Sequence, residues 1–265
     1  MTRLEELAER PRVIVVDAAS TDGTASAIRD RFPDVTVIAP PRDIGSAART
    51  LGAEAADTPL IAFSDDDSWW ASGALRRAAD LFEAYPRLGL IAARILVEPG
   101  ARLDPTCDAM RDSPLPRDTP LPGPPVLGFL ACAAVARRSA VLACGGFHVR
   151  YGFGGEEHLL AVDMAAAGWG LAYVDSVVAH HEPESGPRSW RGTPELRNQM
   201  WSTWLRRPLA RAACHTMALV RDGNGHGVPA LLAAMRGLPW VLRERRVIPD
   251  DVERGLRLLE AGSSD

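Results

Sequence analysis

Short β-branched runs alternate with Ala-, Leu- and Arg-rich stretches through the first hundred residues. RVIVV at 12–16, VTVI at 35–38, LIAF at 60–63 and LGLIAARILV at 88–97 read as strands. Residues 24–31, 46–56 and 72–85 read as helices. This spacing predicts a doubly wound, mostly parallel α/β sheet flanked by helices. Such sheets take ligands beyond the carboxyl ends of their strands, at a switch in strand order.

Both periodicities lapse over residues 99–125, which hold eight of the 21 prolines and read as a long loop or flexible flap. Order resumes with GFLACAAVARR at 128–138, a helical SAVLAC, the glycine-rich GGFHVRYGFGGEE at 145–157 and a helix over 158–167. A strand pair, LAYV and SVVA, ends at His180. Beyond Trp190 the pattern is helical to the end, so an α/β domain over 1–188 and a helical extension over 189–265 are expected. In that extension Trp201, Trp204, Leu205 and Leu209 recur beside Arg206, Arg207 and Arg211. Two readings stand: a basic helix lying on a membrane surface, or a helix packed on the sheet domain.

The 265 residues are 46% hydrophobic, enough for a sizeable core, and the net charge of -4 gives no general reason to bind nucleic acid. Cys107, Cys132, Cys144 and Cys214 lack the short spacings of a zinc knuckle or a disulfide framework, which fits a reducing cytosol. The opening MTRLEELAERPR has acidic residues and no apolar core, unlike a secretory leader. No run approaches the roughly 18 apolar residues of a membrane span. A cytoplasmic chain, peripheral to the membrane at most, is expected.

The acidic residues fall at strand ends. Ser64-Asp65-Asp66-Asp67 follows LIAF directly, and three adjacent carboxylates repel one another unless a cation sits among them or they lie in a solvated turn with Asp67 or Ser68 capping a helix. Asp17 closes RVIVV, where a carboxylate can meet a base or ribose, while Ser20, Thr21 or Asp22 can cap the next helix. Gly154 and Gly155 precede Glu156 and Glu157 at a helix start, a position that favours acids whatever their task. His180 and His181 end an apolar strand, and either is a third ligand if the Asp triplet holds a metal. Trp69 and Trp70 either stack on a donor or acceptor sugar or pack under the flap.

In order, VIVVDAASTDGT, IGSAARTLGAEAADTPLIAFSDDDSWW, CGGFHVRYGFGGEEHLLAVDMAAAGWGLAYV and VVAHH resemble the successive motifs of family 2 glycosyltransferases over residues 12–181. The resemblance implies a GT-A fold and inverting transfer of a sugar from a nucleotide diphosphate donor to a glycan, lipid-linked or small-molecule acceptor. It implies Asp17 and Arg49 as donor-binding residues, with Asp65 and Asp66 toward the ribose. Asp65, Asp67 and His180 would hold Mg²⁺ or Mn²⁺, His181 being the alternative to His180. Glu157 would be the catalytic base, with Glu156 beside it. A sugar-binding scaffold that keeps the fold without catalysis is the alternative. An oxidoreductase lacks its Gly-x-Gly-x-x-Gly, and a pyrophosphorylase lacks its lysine, since the chain has none.

Two departures from the family pattern stand out. Ala18-Ala19 replaces the usual Asn or Gly, and Thr50 stands where Asn is common. The family usually opens with a strand and helix before its Val-Val-Asp segment, and that first strand is expected to be missing here, leaving a neighbouring strand unpaired.

Overall fold

The computed structural model describes residues 1–183 and 192–262. The expected strand and helix positions of the first hundred residues are observed. In chain order the elements are α1 (Thr2–Glu5), β1 (Ile14–Val16), α2 (Thr24–Arg31), β2 (Thr36–Ile38), α3 (Ala48–Ala55), β3 (Leu60–Ala62), β4 (Ser68–Trp70), α4 (Ala74–Ala84) and β5 (Leu88–Val97). There follow β6 (Arg102–Leu103), α5 (Pro105–Arg111), β7 (Ala134–Arg137), α6 (Arg138–Ala143), α7 (Glu156–Ala166) and β8 (Gly170–His181). Five helices end the described chain: α8 (Gly192–Arg206), α9 (Leu209–Asp222), α10 (Gly227–Arg236), α11 (Leu238–Glu244) and α12 (Asp250–Gly262).

The main sheet runs β3-β7-β5-β8-β4, with β6 paired to the end of β5. It is mixed rather than mostly parallel. β5 and β8 run parallel, whereas β3–β7, β5–β7, β5–β6 and β4–β8 are antiparallel. The reason is local: β4 turns back directly after the Asp triplet, and β7 enters from the proline-rich segment, not from a crossover helix. β5 is central and its first six residues are buried, as a continuous apolar run requires. The strand pair expected before His180 is a single strand, β8, whose register against β5 shifts between Ala93 and Arg94. α4 buries Ala74, Ala78, Leu81 and Phe82, one stripe of a helix, against this sheet.

β1 and β2 form a separate parallel pair, with no ladder to the main sheet among the described residues. Both strands are only half-buried or exposed.

The segment expected to be a loop or flap is packed. Asp104 accepts the Thr106 N–H at 2.9 Å and Pro105 occupies the first turn, a start signal that makes α5 a helix and buries Cys107. Downstream, Val126 N–H donates to Leu171 O and Tyr173 N–H to Pro124 O, which ties the segment to β8.

α7 is apolar nearly all round and joins three cores. Leu160, Ala161 and Met164 face the sheet; Leu159 joins Tyr151, Trp201 and Trp240; Val162 joins Leu115, Ile248 and Leu256. The basic surface helix that was one reading of the extension is overturned at α8. Trp201 and Leu205 are buried, Arg206 is held by Asp163, and Arg207 by Glu253 and Glu260. Leu209 alone of the four apolar positions is well exposed. The expected boundary at residues 188–189 lies outside the described residues. No described helix is long and apolar enough to cross a membrane.

Candidate active site

The site grows from the ends of β3 and β8 and the start of α7. After β3 the chain makes a tight turn into β4, in which Asp65 N–H donates to Ser68 Oγ at 2.8 Å and Ser64 Oγ donates to Ser68 O at 2.9 Å. The Asp triplet therefore opens a strand and not a helix. The turn leaves Asp66 exposed while Asp65 and Asp67 lie half-buried.

Arg49, from α3, reaches into this group. Its Nη2 donates to Asp65 Oδ1 at 2.6 Å, its Nη1 lies 3.8 Å from Glu156 Oε1, and its guanidinium sits 5.5 Å from the centre of the Phe147 ring. Burial works against the Arg49 charge; Asp65, Glu157 and Glu156 overcome it and hold the guanidinium more firmly protonated.

Gly155, in the left-handed region, starts α7 and sends both glutamates inward. Glu156 is 2% exposed, and its Oε2 has no hydrogen-bond partner. Burial, reinforced by Glu157, raises its pKa to about 7. Glu157 accepts the Ala131 N–H on Oε1 at 3.2 Å; burial raises its pKa, Arg49 opposes that, and Asp65 adds to it. The two glutamates, Asp65 and Arg49 thus form one electrostatic unit drawn from three segments far apart in sequence.

The two histidines part company. Register pairs Trp69 with His180 and Ser68 with His181, so alternation along β8 sends the two imidazoles to opposite faces. His181 Nε2 lies 3.3 Å from Asp67 Oδ2. His180 Nδ1 lies 2.9 Å from Glu98 Oε1, a contact that holds the Glu98 pKa below its usual range, and its ring stacks on Trp69 at 5.3 Å. The imidazole beside the Asp triplet is therefore His181 and not His180. Trp69 is covered in turn by Arg3, 4.6 Å from its ring centre, and Trp70 is 2% exposed within the main core, with no open face for a sugar.

Asp17 is 6% exposed at the end of β1. Hydrogen bonds from Ser20 hold its pKa low, including the N–H donation at 2.9 Å, and these contacts lie within its own turn. Asp22 accepts the Thr24 N–H at 3.0 Å just ahead of α2, but the residue that caps this helix is Gly23, with no side-chain bond, so the cap expected from Ser20, Thr21 or Asp22 is not made.

Two contributors escaped the sequence reading. Thr50 Oγ accepts the Phe147 N–H at 2.7 Å, which pins the turn beneath Arg49 to α3; a Cβ on Gly146 would collide with that threonine. Cys132 forms the floor, where burial and then Asp65, Glu157 and Asp67 push its thiol up to about 12. Only the departure at residue 50 gave any signal.

The model of the glycosyl transferase family 2 matches residues 3–144. An N-acetylglucosaminyl-diphospho-decaprenol L-rhamnosyltransferase of Mycobacterium tuberculosis is 29% identical over 220 residues, covering 68% of this chain and 70% of that protein. Among solved structures, the mannosyltransferase PcManGT from Pyrobaculum calidifontis, in complex with GDP-Man and Mn²⁺, superposes with a TM-score of 0.58 at 21% identity, over 98% of this chain and 70% of its own. TarS of S. aureus in complex with UDP gives 0.53 at 11% identity, over 96% and 82% of the two chains. These two likenesses bear on the fold, whose GT-A architecture they share. With its family's model spanning more than half of the sequence, the chain belongs to glycosyl transferase family 2 and is a glycosyltransferase.

Proposed function

We propose that the protein moves a sugar from a nucleoside diphosphate sugar onto an acceptor hydroxyl with inversion, using Glu157 as general base. The observation that carries this reading is the Arg49 unit, which joins a carboxylate of the Asp triplet to the paired glutamates of α7. In the step, the acceptor O–H gives its proton to the Glu157 carboxylate, its oxygen bonds to the anomeric carbon, and the bond from that carbon to the diphosphate oxygen breaks with its electron pair on the leaving group. A raised pKa suits Glu157 to taking that proton near neutral pH. The Ala131 N–H holds Oε1 in place, leaving Oε2 to meet the hydroxyl.

Asp67 and His181 would hold Mg²⁺ or Mn²⁺. A carboxylate oxygen suits either ion, and an imidazole nitrogen 3.3 Å from it can share the same cation. No three His, Cys, Asp or Glu side chains gather into a complete site among the described residues. That suits ions that bind through one or two carboxylates and take oxygens from the substrate phosphates. When bound, the cation offsets charge on the departing diphosphate. Asp17 and Asp65 would contact the nucleoside, with Arg49 setting the Asp65 carboxylate. The solved mannosyltransferase in complex with GDP-Man and Mn²⁺ supports the same ligand classes here. Peripheral contact with a membrane would fall to Val228, Leu232 and Met235, exposed along α10; flotation with anionic vesicles tests it, and no association removes it.

The deciding experiment is a thermal-shift screen of UDP-, dTDP- and GDP-sugars with and without Mn²⁺, followed by NMR of the product's anomeric configuration. Stabilisation that needs the metal, and an inverted product, are expected. No nucleotide sugar raising the melting temperature, or a retained configuration, overturns the proposal.

A further inference from the structure

A cavity of about 710 Å³ lies between the α/β part and the C-terminal helices, apart from the Arg49 unit. Its near end reaches Leu130 and His158, the chain neighbours of Ala131 and Glu157. One face of α7, at Gly155, His158, Leu159 and Val162, runs along its length. Met110, Leu127 and Phe129 continue an apolar wall, and the opposite wall carries Gln199, Thr203, Arg206 and Arg207.

The charges on that second wall are already matched. Arg206 Nη2 donates to Asp163 Oδ2 at 2.8 Å, while Arg207 donates to Glu253 at 2.8 Å and also to Glu260. Desolvation lowers the pKa of both imidazoles on the lining, His158 and His215. A diphosphate entering this space would meet arginines committed to carboxylates, together with Glu195 and Glu260. It would lose its hydration without gaining a cation. A neutral apolar body loses no such hydration there, and the volume lies within the roughly 300–1,000 Å³ typical of small-molecule pockets.

We propose that this cavity is the acceptor site, and that it takes a neutral, largely apolar alcohol of small-molecule size rather than a diphosphate-linked lipid. The inference rests on the transferase reading, because the cavity ends at His158 and Leu130, one residue along the chain from Glu157 and from the Ala131 N–H that holds it. The rhamnosyltransferase it resembles is named for a diphospho-decaprenol acceptor, so the two proteins would differ in acceptor class.

The test compares farnesol with farnesyl diphosphate, the same apolar body without and with the charge, by calorimetric titration into the full chain. Farnesol is expected to saturate and to bind about tenfold or more tightly than the diphosphate. Gln199→Trp and Ala109→Trp, at a half-buried and an exposed position of the lining, fill the cavity from opposite sides and should each weaken farnesol about tenfold or more. Unchanged melting temperatures of the variants show that they are folded. Non-saturating farnesol, equal or tighter diphosphate binding, or folded tryptophan variants that bind farnesol normally would each overturn the proposal. Farnesol binding that is lost in the variants, in a protein that no nucleotide sugar stabilises, would instead retain the cavity as an apolar site and refute the transferase mechanism.

Discussion

His181 and Asp67 face each other across the β4–β8 pair, with Nε2 and Oδ2 3.3 Å apart, while the neighbouring His180 is held by Glu98. If this pair holds the metal, His181→Ala should weaken Mn²⁺-supported donor binding by about 10–100-fold, and Asp67→Ala should abolish it. His180→Ala should cost far less, because its imidazole stacks on Trp69 away from the triplet. Calorimetric titration of the stabilising nucleotide sugar with and without Mn²⁺ separates the two. A larger loss at His180 would reverse the assignment.

Glu157→Gln should preserve donor affinity and lower turnover by about 10²-fold or more, the usual range for a lost general base. Glu156→Gln tests the choice between the neighbours. It keeps the shape of a buried side chain that contacts Arg49 only at 3.8 Å, so turnover should fall much less. Steady-state kinetics with both variants decides the point, and an inactive Glu156→Gln beside an active Glu157→Gln would exchange their roles.

The sequence exposed the acids of this site because each stands at the end of an apolar run or at a glycine-rich helix start, where local pattern and chemistry coincide. It did not expose their geometry. Choosing His181 over His180 needs the β4–β8 register, and β4 itself was hidden in two tryptophans following an acidic turn. The packing of α5 was legible in Asp104-Pro105 but was masked by the prolines around it. Arg206 and Arg207 looked like surface cations because their partners, Asp163, Glu253 and Glu260, are more than 40 residues away in the chain. No local period carries such pairings.

Glu156 also makes stability depend on pH. Its folded pKa, about 7, lies above the ordinary 4.5, so the folded state binds the proton more tightly than the unfolded chain does. The stabilisation is complete below about pH 4.5 and is lost as pH rises through about 7. Between pH 5 and pH 8 the protein should lose on the order of 2–3 kcal/mol through this group. Glu156→Gln should flatten that decline. Urea unfolding at both pH values measures it, and parallel losses in wild type and variant would show that Glu156 does not titrate in this range.

Arg206 and Asp163 link α8 to α7 through a bidentate pair that is nearly shielded from water. Arg206→Ala removes the cation and strands the buried carboxylate, a change expected to cost about 3–5 kcal/mol. Arg206→Ala combined with Asp163→Asn should recover part of that loss, since no unpaired charge remains. Chemical denaturation of the single and double variants gives the comparison; equal stability of Arg206→Ala and wild type would show that the pair is not needed to hold the helices to the sheet domain.

The β1–β2 pair should be the weakest part of the α/β half. Each strand has three residues, the ladder is one-sided, and neither strand bonds to the main sheet among the described residues. Its cover is α3, where Gly52 lies close against the Val16 side chain. Opening the pair exposes only half-buried side chains and breaks a few hydrogen bonds, among them Asp17 N–H to Ile38 O and Thr36 N–H to Val13 O. By contrast, opening β5 would expose residues such as Leu90 and Ile91, which are fully buried. Local opening free energies follow that difference in burial. The amides of Asp17 and Thr36 should therefore exchange with deuterium about a hundredfold or more faster than those of Ile91 and Ala172 in the free protein. A nucleoside that contacts Asp17 binds only the closed form and should slow the exchange of Asp17 in proportion to its occupancy. Residue-resolved hydrogen exchange with and without the nucleotide sugar measures both effects. Equal protection of β1 and β5 in the free protein would show that the pair is not a separate cooperative unit, and exchange at Asp17 that the donor leaves unchanged would remove this residue from the donor site.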